Sequence, residues 1–237
     1  MTTRDAIPSS WTDYLQSGPV ALGLDLATTD KTTSNPSALV AMEDFGGLLN
    51  ERLVMSWKTA NEEVTEAILD HVFDDLANAH KRPKCLVIDA TNETFYAQKL
   101  AKRFRSKCPV YLIKGSENLS WAGETMTAKQ LLGNLFANEH IDGRMASPLA
   151  PWVKDDRRLV KKVKGLFNAD TDALGQHGDT WDGGKLALWG LRRTGRAEAA
   201  GMIVGSMGPP KDSDAPRLRV AGKLGFIIQK IKARLNG

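Results

Sequence analysis

Residues 19–27 read Pro-Val-Ala-Leu-Gly-Leu-Asp-Leu-Ala, an apolar run with one ionisable group, Asp25, inside it. A run this apolar and this short is a strand that must be covered. An ionised carboxylate is costly to bury there unless it is paired or bound to a cation. The chain therefore has to bring a counter-charge or other cation-seeking groups to Asp25. That requirement limits the fold more than any overall property does.

The neighbouring segments supply the layers. Ser37–Met42 is apolar, Asp44-Phe-Gly-Gly47 is a turn, and residues 48–57 alternate as a strand does. Strand, loop, strand, turn and strand make an antiparallel meander. Residues 62–79 carry Val64, Ile68, Leu69, Val72, Phe73 and Leu76 at helical spacing, with Asn61 placed to cap them. Lys84-Cys-Leu-Val-Ile-Asp89 reads as a buried strand ending on an acid, 91–107 as a helix, and 109–114 as another strand. Further helices are expected over 127–138 and 179–193, and a β-hairpin over 159–167 and the residues after it. Three strands followed by helix, strand, helix and strand predict a mixed α/β sheet.

The 237 residues suit one ordinary domain with tails. The expected divisions are a lead-in over 1–18, one domain over 19–198, a Gly/Pro/Ser/Asp-rich linker over 199–216, and a basic amphipathic tail over 217–237. Cys85 and Cys108 have no Cys-x-x-Cys or Cys/His partners, which excludes a disulfide framework or zinc knuckle and makes a reducing compartment the default. No stretch of about 18 apolar residues is present, so no membrane partner is expected, and residues 1–20 lack a secretory pattern.

The net charge of +4 is unevenly placed. Residues 217–237 hold six basic residues and no acid, leaving 1–216 at −2. Within the body, 154–164 hold Lys154, Arg157, Arg158, Lys161, Lys162 and Lys164 against two acids. Such a strip is either a solvated face or a phosphate-contacting edge; phosphate contacts bind nucleic acid without reading sequence. Lys31 is a further candidate. Trp121 and Trp152 can stack on bases, though packing is the commoner role of such residues.

Two more aspartates join Asp25. Asp89 ends its apolar strand, and Asp179 opens a helix after Gly178. Each alone has an ordinary explanation as a turn or capping residue. If the strands of Asp25 and Asp89 are neighbours and the helix lies against them, the three share a cleft. Clustered carboxylates need a cation, and oxygen-only ligands favour Mg²⁺ or Mn²⁺. Two such ions are suited to phosphodiester hydrolysis.

These segments resemble the nuclease domain of the large terminase subunits of tailed phages, Mu-like phages included. The stretch from Gly23 to Val40 is similar to that family's first acidic strand and loop, Leu86–Thr91 to its second, and His177–Trp189 to its third. The likeness runs over roughly residues 20–195. It implies an α/β RNase H-like fold: a central mixed five-stranded sheet, three antiparallel strands then parallel additions, flanked by helices. It further implies endonucleolytic cutting of double-stranded DNA with two divalent metal ions, Mg²⁺ or Mn²⁺, during genome packaging in the cytoplasm of a bacterial host. By the resemblance Asp25, Asp89 and Asp179 are the catalytic metal ligands, and Asp182, one turn on, can share the site. His177 and Glu93 are candidates for a supporting role behind them. The implied partners are DNA, a portal protein, a small terminase subunit and an ATPase motor. The chain departs from the family in lacking the G-x-x-x-x-G-K-[ST] motif of such a motor. Two other readings stay open: another RNase H-like nuclease of resolvase or transposase type, and a DNA- or portal-docking domain that does not cut.

Overall fold

A computed structural model describes residues 3–5, 10–29, 35–171, 177–193 and 203–204. Lys31, the tail over 217–237 and all of the expected linker except Ile203–Val204 lie outside the described residues.

The meander is formed by β2 (Val20–Asp25), β3 (Ser37–Phe45) and β4 (Leu48–Trp57), preceded by a short β1 (Thr3–Asp5). Then follow α1 (Glu62–Asn78), β5 (Cys85–Asp89), α2 (Thr94–Phe104) and β6 (Val110–Ile113). A hairpin of β7 (Asn118–Trp121) and β8 (Glu124–Thr127) leads into α3 (Ala128–Ile141). After β9 (Met145–Ala146) come α4 (Pro151–Arg158), a second hairpin of β10 (Val160–Val163) and β11 (Leu166–Ala169), α5 (Asp179–Arg192), and β12 (Ile203–Val204).

The main sheet runs β1-β4-β3-β2-β5-β6-β12, with β9 also on β4. Its centre is the expected five strands: β2, β3 and β4 are antiparallel, and β5 and β6 add in parallel. The short β1, β9 and β12 extend it to eight, so the count exceeds five only at the margins.

Strand alternation divides the core in two. Leu22 and Leu24 of β2 and Leu86 and Ile88 of β5 face α1 and α2, where Phe73 and Phe104 stack with ring centroids 5.2 Å apart. Ala21, Cys85 and Val87 face the other way, toward α3 and α5. Asp25 and Asp89, in step with that second set, lie on the α5 side. The Asn61 side chain caps α1 as expected, accepting from the Glu63 N–H at 2.9 Å.

Three features add to the sequence reading. The N-terminal lead-in is part of the fold: β1 pairs with β4, and buried Trp11 donates its indole N–H to Asp75 at 3.0 Å. Ile203–Val204, expected within a linker, pairs with Val110 and Tyr111 at the sheet edge. Lys154, Arg157 and Arg158 stand on a helix, α4, with Pro151 at its start, while Lys161, Lys162 and Lys164 alone belong to the β10–β11 hairpin.

Candidate functional site

β2 and β5 run parallel in a register that pairs Leu24 with Ile88. The next residue on each strand is Asp25 and Asp89. Two carboxylates thus stand side by side where the adjacent strands end. The Asp89 carboxylate accepts from the Thr91 N–H at 2.7 Å, which turns the chain away from the sheet before α2 begins.

α5 crosses this end of the sheet, packing on β2, β3 and β5. The crossing is close because glycines line it: a Cβ on Gly23 would meet the Gly183 carbonyl oxygen at 2.1 Å. Asp182 precedes Gly183, so the contact delivers Asp182 to the end of β2. Burial, followed by the charges of Asp182, Asp89 and Asp179 in that order, holds the Asp25 carboxyl well above its ordinary value.

Asp179 is placed differently. It is 2% exposed and accepts from the His177 N–H at 3.3 Å. Burial, then the charge of Asp156, pushes it up to about 8. Asp182, whose side chain is 36% exposed, and Asp179, buried in the first turn of α5, thus stand in different surroundings.

A cation in this centre comes from a residue that the sequence reading missed. Lys185, 8% exposed, donates to the Asp182 carboxylate at 2.6 Å. Burial depresses its pKa, but the charge and hydrogen bond of Asp182, with Asp25 and Asp89 behind, outweigh that and raise it. An Asp and a Lys three residues apart on a helix look like a surface pair; only the close crossing of α5 buries this one.

The donor set, all carboxylate oxygen, fits a hard divalent cation such as Mg²⁺ or Mn²⁺. The side chains as arranged do not form a closed cage: among the described residues no three His, Cys, Asp or Glu are grouped to hold a metal ion.

The supporting candidates are both engaged. The Thr28 hydroxyl donates to Glu93 at 2.6 Å, tying the loop after β2 to the start of α2. The His177 ring lies 3.0 Å from the Thr171 hydroxyl.

The basic strip divides by orientation. Arg157 turns inward and grips buried Glu51 with two bonds of 2.7 Å, so its guanidinium is engaged within the fold. Lys154 and Arg158 are exposed on α4. On the hairpin, Lys161 pairs with Asp170, and Lys162 donates to Asn134 at 2.8 Å while lying over the Phe167 ring. Lys164 is exposed at the turn with φ +50°. Trp121 packs on Trp189 at 5.5 Å and Trp152 packs against the α3–α5 core, which gives both a packing role.

No protein-family model and no curated protein matches the sequence. Solved structures do match. The large terminase nuclease from thermophilic phage G20c with bound magnesium superposes with a TM-score of 0.53 at 15% identity, covering 73% of this chain and 82% of that one. A second structure of that nuclease gives 0.52 at 15% identity, covering 74% and 84%. The human cytomegalovirus terminase nuclease domain, soaked in manganese with an inhibitor bound, gives 0.44 at 12% identity, covering 78% and 94%. The fold is thus α/β, a central mixed sheet flanked by helices, and it is shared with the large terminase nuclease from phage G20c.

Proposed function

We propose that this protein is a divalent-metal-dependent endonuclease that cuts double-stranded DNA during viral genome packaging. One observation carries the reading: Asp25 and Asp89 end adjacent parallel strands on the face that α5 crosses, with Asp182 next to the Gly23–Gly183 contact. The fold shared with terminase nucleases supports it.

In this reading Asp25, Asp89 and Asp182 hold two Mg²⁺ or Mn²⁺ ions, and Asp179 supports them from the first turn of α5. When bound, such ions supply an acidified water and neutralise charge on the phosphodiester. The protein's own work is placement. The parallel register fixes the spacing of Asp25 and Asp89, and the Thr91 N–H orients Asp89. Lys185 neutralises part of the acidic centre before the ions arrive. Lys154, Arg158, Lys161, Lys162 and Lys164 contact backbone phosphates and so position DNA without selecting sequence.

The partners in this reading are double-stranded DNA, an ATPase motor, a small terminase subunit and a portal protein, met in the cytoplasm of a bacterial host. Among the described residues no helix is long and apolar enough to cross a membrane. One second reading, a docking domain that binds DNA without cutting, fits the same exposed basic residues of α4 and the hairpin.

Incubating supercoiled plasmid with Mn²⁺, Mg²⁺ or EDTA separates the two. The proposal expects metal-dependent nicking and linearisation, lost in Asp25→Asn and in Asp89→Asn. Well-folded protein that binds DNA but leaves it intact in every metal supports the docking reading instead.

A further inference from the structure

α5 carries the helix-borne acids, yet it has no cap of its own. Its N-cap is Gly178, without a side chain to offer, although the first N–H groups of any helix need acceptors. The acceptor comes from α4. Asp156, 1% exposed, accepts from the Gly178 N–H at 3.1 Å, from the Thr180 N–H at 2.8 Å and from the Thr180 hydroxyl at 2.6 Å.

The next residue completes the grip. Arg157 reaches the Thr180 hydroxyl and carbonyl oxygens at 3.4 Å while holding Glu51 of β4. Thr180 lies between Asp179 and Asp182 in sequence. Consecutive side chains of α4 therefore hold its N–H, hydroxyl and carbonyl, and the Arg157–Glu51 pair fastens them to the sheet. The same short helix exposes Lys154 and Arg158 and runs directly into the basic hairpin.

We infer that Asp156 is a positioning residue: it fixes the first turn of α5 and thereby the stance of Asp179 and Asp182 toward Asp25 and Asp89. The inference rests on the proposed metal-dependent function and adds to it a residue outside the acidic centre. Removing groups that orient metal ligands from behind commonly costs about 10–100-fold in metal affinity. Here the orientation passes through the backbone of one helical turn.

The test is calorimetric titration of Mn²⁺ into the full chain without DNA, well below the melting temperature, with duplex affinity measured separately in EDTA. Asp156→Ala should weaken Mn²⁺ binding by about tenfold or more and leave duplex affinity unchanged. Asp156→Asn, which keeps one acceptor oxygen, should lose less. Thr180→Val keeps the backbone bond and removes the hydroxyl, so it should lose a few-fold even if Asp156→Ala does not fold. A cap that only stabilises the helix would lower the melting temperature and leave the Mn²⁺ affinity of folded variants at the wild-type value; that result overturns the inference. Failure of the wild type itself to bind Mn²⁺ overturns the metal-centre reading and this inference with it.

Discussion

Gly23 of β2 and Gly183 of α5 meet backbone to backbone, with room for no side chain between them: a Cβ on Gly23 would stand 2.1 Å from the Gly183 carbonyl oxygen and 2.4 Å from the Ala187 nitrogen. The obstacles are main chain and cannot rotate aside. Because Asp25 lies two residues beyond Gly23 and Asp182 one residue before Gly183, this contact sets how close helix and strand acids come. Gly23→Ala should destabilise the protein by at least ~2 kcal/mol through overpacking. Chemical denaturation measures it, and a wild-type midpoint would mean that α5 can sit further from the sheet.

Lys185 is held among acids. Its replacement by Met leaves Asp25, Asp89 and Asp182 with less compensation. The metal-free protein should lose roughly 1–3 kcal/mol, less than a fully buried pair because the Asp182 side chain is 36% exposed. Added Mn²⁺ should raise the melting temperature of Lys185→Met more than that of the wild type, since a cation then fills an uncompensated centre. Equal shifts would show that Lys185 does not share the acidic centre.

The metal-free protein should lose stability as pH rises from about 4 toward 8. Asp179 moves from an ordinary value of 3.8 to about 8 in the fold. Across that window the folded chain keeps a proton that the unfolded chain has shed. The stabilisation is complete below the unfolded value and lost as pH climbs through the folded one. Burial and neighbouring acids push Asp25 in the same direction. Asp179→Asn removes one such group, so its stability relative to wild type should improve with pH, by up to about 1.4 kcal/mol per unit. Parallel stability curves for the two proteins would contradict this.

What the sequence revealed and what it hid follow from the range of each signal. Asp25 and Asp89 were legible because a charge in or at the end of an apolar strand is a local anomaly. The different surroundings of Asp179 and Asp182 were not: they lie three residues apart on one helix, and only the packing of that helix buries the first and leaves the second part-exposed beside Lys185. Asp156 was hidden inside a basic strip, where its one informative property, burial, depends on α4 meeting α5. Arg157 and Arg158 are neighbours in sequence, yet a helix sends one to Glu51 and the other to solvent. Trp11 stood in a polar stretch whose packing on α1 had no periodic signal.

The hairpin lysines should act on DNA as charges. Lys161→Ala, Lys162→Ala and Lys164→Ala should each weaken duplex binding evenly across sequences and lower the slope of log affinity against log salt by about one. Fluorescence anisotropy with two unrelated duplexes over a salt series measures both. A loss confined to one sequence, or an unchanged slope, would take the hairpin off the phosphate backbone.

Anomalous scattering from crystals of the protein soaked in Mn²⁺ shows where the metal binds. Peaks are expected at the carboxylates of Asp25 and Asp89, with Asp182 beside them. Manganese bound elsewhere, or no peak at these acids in crystals that hold bound duplex, would contradict a metal-dependent nuclease centred on the ends of β2 and β5.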